Sequence, residues 1–286
     1  MPRQIIVAEN SGFCFGVKRA VDMTVRCQSG SKTSHTYTLG PLIHNGNVVR
    51  SLREQGVREI GEEEIGRLRP GDTLVIRSHG VTPDVLDRIQ KGGVDCIDAT
   101  CPYVSSIQKK ARKYHEEGYR IVIVGDRNHP EVIGINGWCG NTAQITRDGS
   151  DLKDLPDKVC VLCQTTEKPS NYEKALEVIA RRSNEVLAFN TICSATKKRQ
   201  DSADQVSRSV DRMVVVGGRH SSNTGKLFEI CSANCRETIL VENSTELPDW
   251  PIPGETTEKV GVAAGASTPD WVIQDVLGRL REPKAC

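Results

Sequence analysis

The chain has 286 residues, enough for one large domain or two to three small ones. With 37% hydrophobic and 26% charged residues it has a globular composition, and no apolar run approaches the length that spans a bilayer. A net charge of +1, with acids and bases interspersed, argues against a nucleic-acid track, which carries a basic excess or stripe. Met1 is followed almost at once by the strand-like Ile5-Ile6-Val7-Ala8, which leaves no room for a signal or transit peptide. The expectation is a cytoplasmic chain whose eleven cysteines stay reduced, as core fillers, metal ligands or reactive groups.

Taken in order, the elements repeat three times. The first repeat opens with Gly12-Phe13-Cys14-Phe15-Gly16 and runs into a helical pattern. An apolar stretch then stops at Gly40 and leads to Ile43-His44-Asn45. A second strand, Leu74-Val75-Ile76, leads to Ser78-His79-Gly80 and to a helix start at Thr82-Pro83. The second repeat opens with Asp98-Ala99-Thr100-Cys101-Pro102. Its first strand, Ile121-Val122-Ile123-Val124, stops at Gly125 before Asn128-His129-Pro130-Glu131, and its second leads to Gln164-Thr165-Thr166 and Pro169. The third opens with Asn190-Thr191-Ile192-Cys193. Val214-Val215-Val216 stops at Gly217 before Ser221-Ser222-Asn223, and a last strand leads to Gly265-Ala266-Ser267-Thr268-Pro269.

A short apolar run stopped by Gly reads as a buried strand, and the polar cluster after it as the loop at its carboxyl end. In open parallel sheets that edge binds ligands. Pro soon after Ser or Thr reads as a helix start capped by the hydroxyl. Each repeat is thus an α/β layer with parallel strands and crossover helices. The expected fold class is α/β, with three pseudo-threefold-related units around a central cavity. The boundaries fall at 14–100, 101–192 and 193–281. Residues 1–13 add a leading strand to the third unit, and 282–286 form a tail.

Cys14, Cys101 and Cys193 recur about 90 residues apart, each at a strand end and a helix start. Free amides and the helix dipole favour thiolate there, and a threefold arrangement would bring the three together as a metal site. A structural zinc would want a fourth protein ligand. A [4Fe-4S] cluster on three cysteines would leave one iron open to substrate. Cys160 and Cys163 lie in an apolar strand, three apart and so on opposite faces, which suits core thiols better than a redox pair. Cys231 and Cys235 have no other ligand types nearby, and Cys27, Cys96, Cys139 and Cys286 form no pattern.

The loop tips offer His44, His79, His129, Ser221, Ser222, Asn223 and Ser267, donors near helix starts that suit a phosphate or diphosphate. Glu131 is the one carboxylate read on these tips. It is a candidate proton donor, although an acid there would equally suit the helix dipole. Thr165, at the matching place in the second strand loop, could bond the same substrate group or relay its proton. His35 and His115 read as surface residues, and Lys197-Lys198-Arg199 as a solvated helix face.

Together these stretches resemble one family, the 4-hydroxy-3-methylbut-2-enyl diphosphate reductases of the methylerythritol phosphate route to isoprenoids. The resemblance runs in order from Gly12-Phe13-Cys14 through His129-Pro130-Glu131-Val132 and Arg199-Gln200 to Ala264-Gly265-Ala266-Ser267. It implies an Fe–S cluster on Cys14, Cys101 and Cys193, with the substrate's allylic hydroxyl at the unligated iron. Two-electron reductive dehydroxylation would then give isopentenyl or dimethylallyl diphosphate. Glu131 would supply protons, assisted by Thr165 and His129. The diphosphate would lie among His44, His79, His129, Ser221, Ser222, Asn223 and Ser267. Ferredoxin or flavodoxin would bring electrons to a monomer that binds neither nucleic acid nor membrane. A non-redox Fe–S hydro-lyase and an Fe–S or metal sensor without turnover are the alternatives.

Overall fold

A strand that is apolar on both faces needs cover on both sides, and parallel strands joined by crossover helices supply it. The computed structural model describes residues 4–30, 35–249 and 258–282. Cys286 and the tail beyond 282 lie outside the described residues. In chain order the described elements are β1 (Gln4–Val7), α1 (Phe15–Gly30), β2 (Thr36–Leu39), α2 (Gly46–Glu54), β3 (Arg58–Ile60), β4 (Thr73–Ile76), α3 (Pro83–Gly92) and β5 (Asp95–Asp98). Next come α4 (Pro102–Glu116), β6 (Arg120–Val124), α5 (Pro130–Gly137), β7 (Gln144–Thr146), β8 (Lys158–Cys163), α6 (Pro169–Ala180) and β9 (Glu185–Ala188). Last are α7 (Ser194–Ser207), β10 (Arg212–Val216), α8 (Ser222–Asn234), β11 (Thr238–Val241), β12 (Lys259–Ala264) and α9 (Asp270–Arg281).

These strands form three four-stranded sheets with one order: β3-β2-β4-β5, β7-β6-β8-β9 and β11-β10-β12-β1. Every pairing recorded in them is parallel. In the third sheet β1 takes the edge that β5 and β9 hold in the others. The chain divides into two compact units: Met1–Phe15, His44–Val48 and Ser194–Cys286 make the smaller, and Gly16–Ile43 and Val49–Cys193 the larger. The smaller holds the third sheet, and the larger holds the other two.

Strand alternation sorts each core into two faces. In the sheet of β6 and β8, Ile121, Ile123, Cys160 and Leu162 pack with Ile107, Ala111, Val132 and Ile135 of α4 and α5. Val122, Val124, Val159, Val161 and Cys163 turn instead to Tyr172, Ala175 and Ile179 of α6. In the sheet of β10 and β12, Val214, Val216, Val260 and Val262 meet α9, whereas Met213, Val215 and Ala263 meet Ala203 and Leu227 of α7 and α8. Each fully buried large apolar side chain contributes about 1.5–3 kcal/mol. Cys160 and Cys163 thus lie on opposite faces, fully buried, as expected for core thiols. No helix among the described residues is long and apolar enough to cross a membrane.

The helix starts after the second strands differ from the sequence expectation. Thr82 does cap α3, its hydroxyl accepting the Val85 amide at 3.4 Å. At α6 the residue before Pro169 is Lys168, which has no capping oxygen. The Glu167 carboxylate takes over, accepting the Lys168 amide at 2.9 Å and the Asn171 side chain at 3.0 Å. At α9 Pro269 is itself the N-cap and provides no side-chain cap.

Candidate functional site

Each candidate cysteine is the residue immediately before a helix: Cys14 before α1, Cys101 as the N-cap of α4, and Cys193 before α7. Each also makes the same backbone bond. The Cys14 amide donates to the Ala266 carbonyl at 3.1 Å, that of Cys101 to Ser78 at 3.0 Å, and that of Cys193 to Thr165 at 3.0 Å. All three acceptors lie in the loop after the second strand of a repeat. A repeated bond of this kind fixes the direction in which each thiol leaves the backbone. The three thiols are half-buried, unlike Cys139, Cys160, Cys163, Cys231 and Cys235, which are buried.

The larger unit joins its candidate residues in one connected run. From Cys101 the run passes through Ser78 to His79, whose ring meets that of His129 edge to face, centroids 5.3 Å apart. His129 is the N-cap of α5, and its Nδ1 accepts the Glu131 amide at 3.2 Å. A backbone N–H can only donate, so Nδ1 is the ring's acceptor and the neutral ring carries its proton on Nε2. The Glu131 carboxylate, 2% exposed, accepts the Thr165 amide on one oxygen and the Thr165 hydroxyl on the other, each at 2.6 Å. Thr165 then reaches Cys193 through its carbonyl. The strand register brings Glu131 and Thr165 together: Val124 of β6 pairs with Cys163 of β8, so the loops that follow leave the sheet side by side.

The smaller unit holds Cys14, His44, Ser221, Ser222, Asn223 and Ser267. Ser267, one residue beyond the carbonyl that holds Cys14, donates through its hydroxyl to the His44 carbonyl at 3.3 Å and lies 3.5 Å from the Ser221 hydroxyl. Ser221 caps α8 by accepting the Thr224 amide, and Ser222 is the first helical residue. Asn45 caps α2, accepting the amides of Asn47 and Val48. Asn223 is only 3% exposed, yet neither polar atom of its side chain has a hydrogen-bond partner among the described residues. Leaving a buried polar group unsatisfied costs about 1–3 kcal/mol, which a polar ligand would offset.

Three features depart from the sequence reading. Arg199 is 3% exposed, so the Lys197-Lys198-Arg199 run is not wholly solvated; only its two lysines are exposed. Glu167 is a second carboxylate on these loops, 1% exposed and engaged in capping α6. Its signal was the charge beside Lys168-Pro169, where no hydroxyl could cap. His115 is half-buried rather than on the surface, whereas His35 and His220 are exposed.

Parallel α/β layers, each ending in a cysteine at a helix start, with a buried acid bracketed by one threonine and adjoining a histidine, define a repeat-built α/β enzyme-like scaffold. The LytB protein family model matches residues 5–281. A 4-hydroxy-3-methylbut-2-enyl diphosphate reductase of Clostridium tetani is 51% identical over 276 residues, which cover 96% of this chain and 43% of that protein. The chain therefore spans less than half the length of that relative. A protein of the same name from Clostridium perfringens is 48% identical over 284 residues, covering 99% of this chain and 100% of that one. Among solved structures, one described as (E)-4-hydroxy-3-methyl-but-2-enyl diphosphate reductase, the terminal enzyme of the non-mevalonate pathway, is 39% identical. Its TM-score is 0.70, with 99% of this chain and 100% of that chain covered. A Plasmodium falciparum reductase, 24% identical with a TM-score of 0.89 and 99% and 89% coverage, shares the fold. The chain belongs to the LytB family, that of the 4-hydroxy-3-methylbut-2-enyl diphosphate reductases.

Proposed function

We propose that the chain is an iron–sulfur reductase that converts (E)-4-hydroxy-3-methylbut-2-enyl diphosphate to isopentenyl and dimethylallyl diphosphate. The overall change adds two electrons and two protons and releases the hydroxyl as water. The observation that carries this reading is the threefold recurrence of a half-buried cysteine before a helix, its amide tied to the neighbouring loop. Three thiolates at helix starts fit a [4Fe-4S] cluster: soft ligands in an electropositive setting, one fewer than the cluster has irons. Cys14, Cys101 and Cys193 would hold it. When bound, the cluster supplies electrons and, at its fourth iron, a Lewis acid for the departing hydroxyl.

The chain's own residues do the rest. Glu131 supplies the protons that the reaction consumes, and the Thr165 hydroxyl, bonded to its carboxylate at 2.6 Å, extends its reach toward substrate. His129, with Nδ1 engaged by the helix, offers its Nε2 proton as a donor to substrate oxygen. His44, His79, Ser221, Ser222, Asn223 and Ser267 bind the diphosphate, and the unsatisfied amide of Asn223 supports its part in that. With this reading come a ferredoxin- or flavodoxin-type electron carrier, a cytoplasmic location and a monomeric state.

The test is iron and sulfide content with the spectrum of anaerobically purified protein, followed by turnover with a low-potential reductant. A cluster with reductant-dependent formation of the two diphosphates is expected. Colourless, iron-free material would overturn the reading, and turnover without electrons would turn it into a hydro-lyase.

Two further results are expected. Burial pushes the Cys160 thiol up to about 12 and that of Cys139 up to about 11. Both are therefore protonated at pH 8 and should resist alkylation in the native state, and Cys160→Ser should leave iron content unchanged. Peptide mapping after iodoacetamide and an iron assay check this. At Gly16, two residues after Cys14, an added Cβ would lie 2.6 Å from the Cys101 Sγ and 3.2 Å from its Cβ. Gly16→Ala should therefore displace the Cys101 thiol and lower the iron retained per chain, with little change in the far-UV spectrum. Wild-type iron content in that variant would mean the thiol can move without consequence.

A further inference from the structure

Buried arginines are rare unless paired, because removing the guanidinium from water is costly. Arg199, 3% exposed on α7, directs its guanidinium to backbone carbonyls: Nη2 donates to Gly12 at 2.9 Å and Nη1 to Ala195 at 3.1 Å. Gly12 lies two residues before Cys14 with a φ of +99°, a left-handed conformation that suits glycine. The Gly12 carbonyl contact thus anchors the approach to Cys14 from one side, while the Cys14 amide anchors it from the other.

The same device recurs in the larger unit. Arg19, on the helix that opens the first repeat, donates to the Thr100 carbonyl at 3.1 Å and to that of Asp98 at 3.4 Å. Thr100 immediately precedes Cys101. Arg19 follows Cys14 by five residues and Arg199 follows Cys193 by six, so each arginine lies in the second turn of a repeat's opening helix. In each case it grips the loop by which the last strand of the same sheet leaves toward the next cysteine. Arg208, just beyond α7, does something else: it pairs at the surface with Asp204.

We propose that Arg199 and Arg19 are positioning residues for the cysteine loops that follow Gly12 and Thr100, setting how tightly the cluster is held. The proposal rests on the cluster reading above. A planar guanidinium spans two carbonyls at once, which a lysine ammonium does not reproduce. The fixed charge also favours the reduced, more negative cluster, so its loss should lower the midpoint potential. A purely structural arginine would leave that potential unmoved.

The experiment compares anaerobically prepared holoenzyme with R199M, R199K, R19M and the control R208M. It records thermal melting, iron and sulfide per chain, cluster lifetime under excess EDTA and air, and midpoint potential. Outer-shell changes at metal sites typically cost 10–100-fold in affinity, so R199M should lose its cluster about 10-fold faster than wild type. R19M, whose arginine is half-exposed, should lose it faster by a smaller factor. R199M should also show a lower potential. R199K should recover the wild-type potential but not the full lifetime, and R208M should match wild type throughout. Folded R199M and R19M with wild-type lifetime and potential would overturn the proposal. If R199M does not fold, R19M and R199K decide in the same way. A wild-type chain without iron would sink the cluster reading itself, an outcome distinct from a loaded cluster indifferent to both arginines.

Discussion

Glu131→Gln is expected to keep its fold and its iron while turnover falls by about 10²–10⁴, the usual contribution of a positioned proton donor. The side chain is close to isosteric, and its carbonyl oxygen can still accept the Thr165 amide now bonded at 2.6 Å. The second contact cannot survive as it is. The Thr165 hydroxyl donates to Oε2, and an amide nitrogen in that place has no lone pair to offer. The hydroxyl must turn to accept instead, at a cost of about 1 kcal/mol. The variant can then neither hold nor deliver a proton. Steady-state rates with a chemical reductant, set beside iron content and substrate-binding titrations, separate lost chemistry from lost binding. An unimpaired kcat would remove Glu131 from the mechanism.

Cys193→Ser should have the other large effect, with Cys14→Ser and Cys101→Ser alongside it. The bond that sets each of these positions is made by the backbone amide, so serine preserves the local path while replacing a thiolate by a poor ligand. Loss of cluster affinity should exceed about 100-fold, the upper end of what outer-shell changes cost. In Cys193→Ser the consequence reaches further, because the Cys193 amide is held by Thr165, which also brackets Glu131. Iron per chain and the visible spectrum are the readouts, with Cys160→Ser as the matched control. Full iron loading in any one of the three serine variants would exclude that cysteine as a ligand.

The buried register of the strands and the cysteine positions were legible in the chain because they are local. Val214-Val215-Val216 before Gly217 reads as a strand end, and β10 does stop at Val216. Ile192-Cys193 before a helical pattern reads as a helix start, and α7 begins at Ser194. Periodicity, glycine stops and proline starts are written within a few residues of the structure they cause. Capping was less legible: the shared hydroxyl-then-proline pattern overlooked Glu167, because a carboxylate one residue before Lys168 holds this helix start by other groups, the Lys168 amide and the Asn171 side chain.

What the linear pattern determined about this protein is a parallel α/β layer made three times, each with a thiol at a helix start. Only the tertiary structure decided which side chains meet. The bracketing of Glu131 by Thr165 spans 34 positions and depends on the pairing of Val124 with Cys163. The burial of Arg199, in a run that reads as solvated, depends on a carbonyl 187 positions away. Such contacts arise where separate strands and helices come into register. That register is a property of the packed sheets and is encoded in no single stretch of sequence.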